Sequence, residues 1–114
     1  MAATATSTAD WPISLPRGGN SIAVSPFFAG GVTQLEFWNV WIDFNADGTF
    51  APVELVSAFS TSSTSGNGSF IVPSSLNPGL KVRMRIQMKR GSAPTSACET
   101  FANGEVEDHT IQVQ

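Results

Sequence analysis

"LEFWNVWIDFNADGTFAPVE", residues 35–54, joins two signals that rarely sit together. Its first half alternates: Trp38, Val40, Ile42 and Phe44 fall on one side of an extended chain, and Phe37, Trp41 and Asp43 on the other. Apolar bulk on both sides marks an interior strand that is covered on two faces. The second half places Asp43, Asn45 and Asp47 at alternate positions, then Gly48, then Glu54 as the twelfth residue from Asp43. This spacing is D-x-[DN]-x-[DN]-G-x5-E, a calcium loop that ordinarily lies between two helices. Here a strand leads into it.

The chemistry behind that spacing is specific. Calcium takes about six to eight hard oxygen ligands in an adaptable cage. Asp43, Asn45 and Asp47 can turn their oxygens to one centre if the chain wraps sharply, and Gly48 tolerates the φ > 0 that the wrap requires. Thr49 would then offer its main-chain carbonyl, and Glu54 two carboxylate oxygens. The plainer alternative is a polar turn, since Asp, Asn and Gly favour turns on their own account. A match at all six positions favours the ion.

Outward from this stretch, short apolar runs are separated by Gly, Pro, Asn and Ser. "WPISLP" (11–16), "SIAVSPFF" (21–28), "VELVSAF" (53–59) and "FIVP" (70–73) read as strands. "KVRMRIQMK" (81–89) alternates, with Val82, Met84, Ile86 and Met88 inward and Lys81, Arg83, Arg85, Gln87 and Lys89 outward. "EVEDHTIQVQ" (105–114) is the last strand. "RGGN" (17–20), "STSSTSGNGS" (60–69), "SSLNPG" (74–79) and "RGSAPTSACETFANG" (90–104) read as turns and loops. The pattern predicts an all-β, antiparallel, jelly-roll-like sandwich over residues 10–114, with residues 1–9 as a flexible leader.

Composition narrows the function. With 114 residues, 41% hydrophobic and mean hydropathy near zero, the chain is expected to form one globular domain. A net charge of −3 offers no basic surface for nucleic acid. No apolar run is long enough for a membrane-spanning helix. "MAATATSTAD" has neither the charged nor the apolar part of a signal peptide and reads as a start placed on a linker, so the chain is expected to be a module of a larger protein. One cysteine (Cys98) and one histidine (His109) exclude an internal disulfide and a zinc cluster.

Two further constellations stand out. In "GEVEDH" (104–109), Glu105 and Glu107 share a strand face with His109, and Asp108 lies opposite. These carboxylates could complete the calcium cage or pair with Arg83, Arg85 and Lys89. Among the aromatics, Trp11 and Trp41 could stack on sugar rings if exposed; alternatively they are core, or stack on arginine. Paired carboxylates also occur in glycoside hydrolases, but nothing else supports catalysis, and the chain reads as a non-enzyme.

Three segments together, "WNVWIDFNADGTF", "FIVPSSLNPGLKVRMRI" and "SAPTSACETFANGEVEDHTIQV", resemble the GEVED domain of secreted and surface bacterial proteins, a family named for its G-E-V-E-D-Y-T ending. The resemblance implies a β-sandwich and calcium binding through a W-I-D-x-N-x-D-G segment, which falls here on Trp41, Ile42, Asp43, Asn45, Asp47 and Gly48. The ending falls on Gly104, Glu105, Val106, Glu107, Asp108 and Thr110, with His109 where the family usually has Tyr. Members sit beside proteases, adhesin-like repeats and other extracellular modules. The expected role is therefore a calcium-stabilised accessory or adhesion module, secreted or on the cell surface, whose partners are neighbouring domains, a glycan or another surface protein. A carbohydrate-binding module using Trp11 and Trp41 is the alternative. Members often begin with a further strand and a Cys that could pair with Cys98. The short leader here replaces that segment, so an exposed edge open to self-association is expected.

Overall fold

The computed structural model describes residues 2–3, 13–25, 35–62, 65–99 and 104–114. Among these residues eight strands follow one another: β1 (Ala2–Ala3), β2 (Ile13–Leu15), β3 (Gly18–Ser25), β4 (Glu36–Ile42), β5 (Leu55–Thr61), β6 (Gly66–Val72), β7 (Lys81–Arg90) and β8 (Gly104–Val113). A single 3-10 turn, Pro52–Glu54, is the helical element among the described residues. The fold is all-β, as the alternating pattern predicts. Apart from Ala2–Ala3, residues 1–9 lie outside the described residues.

The strands form two sheets, ordered β1-β3-β6 and β2-β8-β7-β4-β5. Among the described residues the pairings are antiparallel except that of β2 with β8, which is parallel. The sheets meet like a sandwich. Ile22, Val24, Phe70 and Val72 from the smaller sheet pack against Trp38, Val40, Ile42, Met84, Ile86 and Ile111 from the larger. β4 lies between β7 and β5, the interior position that its two apolar faces require. Glu36, wholly buried on β4, accepts a hydrogen bond from Arg90 Nη2 at 3.0 Å, so its charge is paired.

Several elements depart from the sequence reading. The serine- and glycine-rich stretch 60–69 is mostly strand: β5 runs to Thr61 and β6 starts at Gly66. The reason lies in packing. Gly68 faces the Phe59 ring so closely that any Cβ there would stand 2.5 Å from Phe59 Cε1. That ring in turn stacks on Trp38, at 6.1 Å between centroids and 6° between planes. Glycine is therefore the strand residue that lets two aromatic rings into the core. "RGGN" is likewise no simple turn, because Gly18–Asn20 begin β3.

Gln87 is the second departure. The alternation of β7 points it outward, yet it is fully buried. Residues 91–99 fold back across the outer face of the larger sheet and cover it. Polar side chains of the sheet hold this cover by its carbonyls: Asn39 Nδ2 donates to Pro94 O at 3.3 Å, Gln87 Nε2 to Ser96 O at 2.7 Å and Arg85 Nη1 to Ala97 O at 2.9 Å. Trp41 Nε1 donates to Gln87 Oε1 at 2.6 Å beneath it. The outer face thus has a small core of its own, closed by hydrogen bonds instead of a second sheet. Cys98 stays exposed and free on the cover.

Gly68→Ala would drive a methyl group into Phe59, and overpacking of this kind typically costs about 1–3 kcal/mol. A denaturant titration is expected to show a loss in that range. A midpoint equal to that of the parent would mean that the Phe59–Trp38 stack yields freely.

Candidate metal centre

β4 delivers the acidic loop. The ladder with β7 continues one residue past the strand, since Asp43 N donates to Arg83 O at 3.0 Å. Asp43 is thereby fixed at the sheet end, with only 5% of its surface exposed. The chain then turns back on itself, with positive φ at Ala46 (54°) and Gly48 (82°). Gly48 adopts this conformation without the steric penalty a side chain brings.

The turn wraps main-chain N–H groups around the carboxylates. Asp43 Oδ1 accepts from Asp47 N at 3.3 Å and Asp43 Oδ2 from Gly48 N at 2.9 Å. Asp47 Oδ1 accepts from both the N–H and the hydroxyl of Thr49, at 2.9 and 3.0 Å. Asn45 lies between them, its Nδ2 donating to Asp47 Oδ2 at 3.2 Å and its Oδ1 accepting from Asp47 N at 3.3 Å. The bond from Thr49 N–H holds the Asp47 carboxyl below the usual carboxylate range, so the group stays ionised.

Glu54 completes the group from the far end of the loop. No helix follows the loop; Pro52–Glu54 instead form the 3-10 turn, with Glu54 N bonded to Ala51 O at 2.8 Å. Glu54 Oε1 reaches back to accept from Ala51 N at 2.8 Å, and the residue is 4% exposed. One oxygen each from Asp43, Asp47 and Glu54 lies within 4.8 Å of the others. Oxygens that share a calcium ion at about 2.3–2.6 Å lie no further apart than roughly 5 Å. The donor set is all carboxylate, with no His or Cys in the group, which suits a hard cation. Thr49 sits in the loop, where its N–H and hydroxyl serve Asp47.

Glu105, Glu107 and Asp108 do not join this group. The register of β7 with β8 sets Glu105 opposite Met88, Glu107 opposite Ile86 and Asp108 opposite Arg85. Asp43 meets β7 at Arg83, and five residues of strand, from 83 to 88, span roughly 17 Å. Asp108 instead forms a two-point pair with Arg85, Nε to Oδ1 at 2.7 Å and Nη2 to Oδ2 at 2.8 Å. The pair holds the Asp108 carboxyl below its usual range and raises Arg85. Glu107 Oε2 lies 3.6 Å from His109 Nε2.

Trp41 is also no open platform. It is buried, with 6% exposed, held by Gln87 and tilted against Phe50 at 6.3 Å. The arginine of this region stacks elsewhere: Arg85 lies over the Phe50 ring, 5.2 Å from its centroid. Trp11 lies outside the described residues. Arg85 is the residue that sequence reasoning undervalued. The alternation of "KVRMRIQMK" places it outward with Arg83, and only the fold shows that it links Asp108, Ala97 and Phe50.

These features define a class: an all-β sandwich module with an acidic loop at one sheet end and an Arg–Asp buttress behind it. Residues 37–112 match the family model of the GEVED domain, and the chain belongs to that family. The match spans both the acidic loop and the literal "GEVED" of residues 104–108. No curated protein and no solved structure matches the chain.

The carboxylates around the cover and buttress make stability depend on acid. Glu99, bonded by Lys89 and by the N–H and hydroxyl of Thr95, is lowered from 4.5 to about 2. A carboxyl held low in the folded chain contributes stability that is fully present above its unfolded pKa and is lost as pH falls through the folded value. For Glu99 that window runs from 4.5 down to about 2. Melting temperature is expected to fall across it, and Glu99→Gln with Asp108→Asn should flatten the decline while lowering the neutral-pH value. A double variant with the parent's acid profile would show that other groups govern acid unfolding.

Proposed function

We propose that this chain is a non-catalytic, calcium-binding accessory or adhesion module of an extracellular bacterial multidomain protein, in which calcium is a structural clip. The observation that supports this reading is the convergence of Asp43, Asp47 and Glu54 within 4.8 Å. Carboxylate oxygens brought this close repel one another when charged unless a cation sits among them. The clip would tie the end of β4 to the start of β5, since Asp43 follows one strand and Glu54 precedes the other. Its partners on this reading are neighbouring domains of a secreted protein, where calcium is plentiful. The sugar-platform alternative loses Trp41, which is buried, and keeps only Trp11, which lies outside the described residues.

An ion that binds only the folded chain adds RT ln(1 + [L]/Kd), about 2.7 kcal/mol at a hundredfold excess over Kd. Chelator-stripped protein titrated with CaCl2 in a calorimeter is expected to show one site, and calcium is expected to raise the melting temperature over EDTA. Asp43→Ala and Asp47→Ala should abolish that difference, whatever they do to the chelated protein. Glu105→Gln should leave it intact. A calcium response that survives both aspartate substitutions would place the site elsewhere.

A further inference from the structure

Beside the acidic loop lies an open-mouthed cavity of about 320 Å³. Its lining includes Ala46 and Gly48 of the loop, Phe50, Lys81 and Arg83 of β7, and Thr110 of β8. The volume is at the lower end of small-ligand sites, which run from about 300 to 1,000 Å³. Two cations meet there for a structural reason: Lys81 and Arg83 are alternate residues of one strand and share a face. Thr110, directly across from Arg83 in the register, brings a hydroxyl to the same face.

The cations of β7 divide sharply by partner. Arg85 is fully engaged by Asp108, Ala97 and Phe50. Among the described residues, Lys81 and Arg83 make neither a hydrogen bond nor an ion pair through their side chains, and Arg83 reaches Asp108 only through its field. Their charges are therefore free to face the cavity. Asp43 also borders it, but both its oxygens accept N–H groups of the loop.

We propose that this cavity binds a small ligand through a carboxylate, held by Arg83 and Lys81 with the Thr110 hydroxyl as a further donor. A guanidinium presents paired N–H groups that match a carboxylate, and an ammonium beside it adds a second charge. The Phe50 ring supplies an apolar wall for the body of the ligand. The carboxylate could belong to an acidic sugar or to an acidic amino-acid side chain. The inference rests on the calcium reading in one respect: an ion in the loop neutralises Asp43 and leaves the field of the cavity to Lys81 and Arg83.

The test is calorimetric titration of the calcium-loaded chain with glucuronate, with the α-amide of N-acetylaspartate, whose only charge is the side-chain carboxylate, and with neutral glucose. One or both acids are expected to bind, with the one that binds naming the source, and glucose is expected to give no heat. The double variant Lys81→Gln/Arg83→Gln alters exposed side chains only. It is expected to bind the acid roughly tenfold more weakly or worse, while its melting temperature still rises with calcium like the parent's. No heat with either acid, equal binding of glucose, or unchanged affinity in the double variant would each overturn the proposal. Calcium heat is read in a separate titration, so the two readings fail separately. If calcium does not bind but the acid does, and the double variant loses it, the clip is lost and the carboxylate site stands.

Discussion

Arg85 is the side chain on which three separate parts of the molecule converge. Its Nε and Nη2 take both oxygens of Asp108 on β8, its Nη1 holds Ala97 O in the cover, and its plane lies over Phe50 at the exit of the acidic loop. A guanidinium can do all three at once because its donors point in fixed, divergent directions and it does not lose its proton. Lysine at this position would keep a charge but lose the two-point grip and the stacking plane. The "GEVED" ending thus acts on the loop from behind: Asp108 fixes Arg85, Arg85 fixes Phe50, and Phe50 borders the loop.

A second consequence concerns the outer face of the larger sheet. Among the described residues, the domain lays no third layer of regular structure over this face. It covers Trp41 with a polar segment anchored by Asn39, Arg85 and Gln87. Hydrogen bonds in such a place are worth most when every partner is present, because an unmet buried amide is costly. Gln87 meets this condition by accepting from Trp41 on one side and donating to Ser96 on the other. The segment is irregular in conformation and specific in its contacts.

The loop itself shows that the convergence of its acidic residues does not depend on helices. Alternate carboxylates converge once the chain reverses at Ala46 and Gly48, and a strand can lead into that reversal as well as a helix can. What the exit must do is bring the twelfth residue back. Pro52, with its fixed φ, starts a 3-10 turn that returns Glu54 to Asp43 and Asp47. One short turn replaces a helix.

Much of this was legible in the sequence because it is local. The period of two in residues 35–44 and 81–89 identified the strands and their inner faces, and Asp43, Asp47 and Glu54 stand at spacings that a single reversal can close. Local patterns said nothing reliable about Gln87, about the strand character of residues 60–69, or about Trp41, whose burial depends on a segment some fifty residues away. The carboxylates of residues 105–108 are the clearest case. Their spacing allows both a metal cage and an ion-pair row, with pairing the stronger reading for at least one of them. The register of β7 with β8 decided between them, by setting Asp108 against Arg85 and carrying Glu105 and Glu107 along the strand, away from the loop. Register is a property of pairing between distant segments, so only the tertiary structure could decide it.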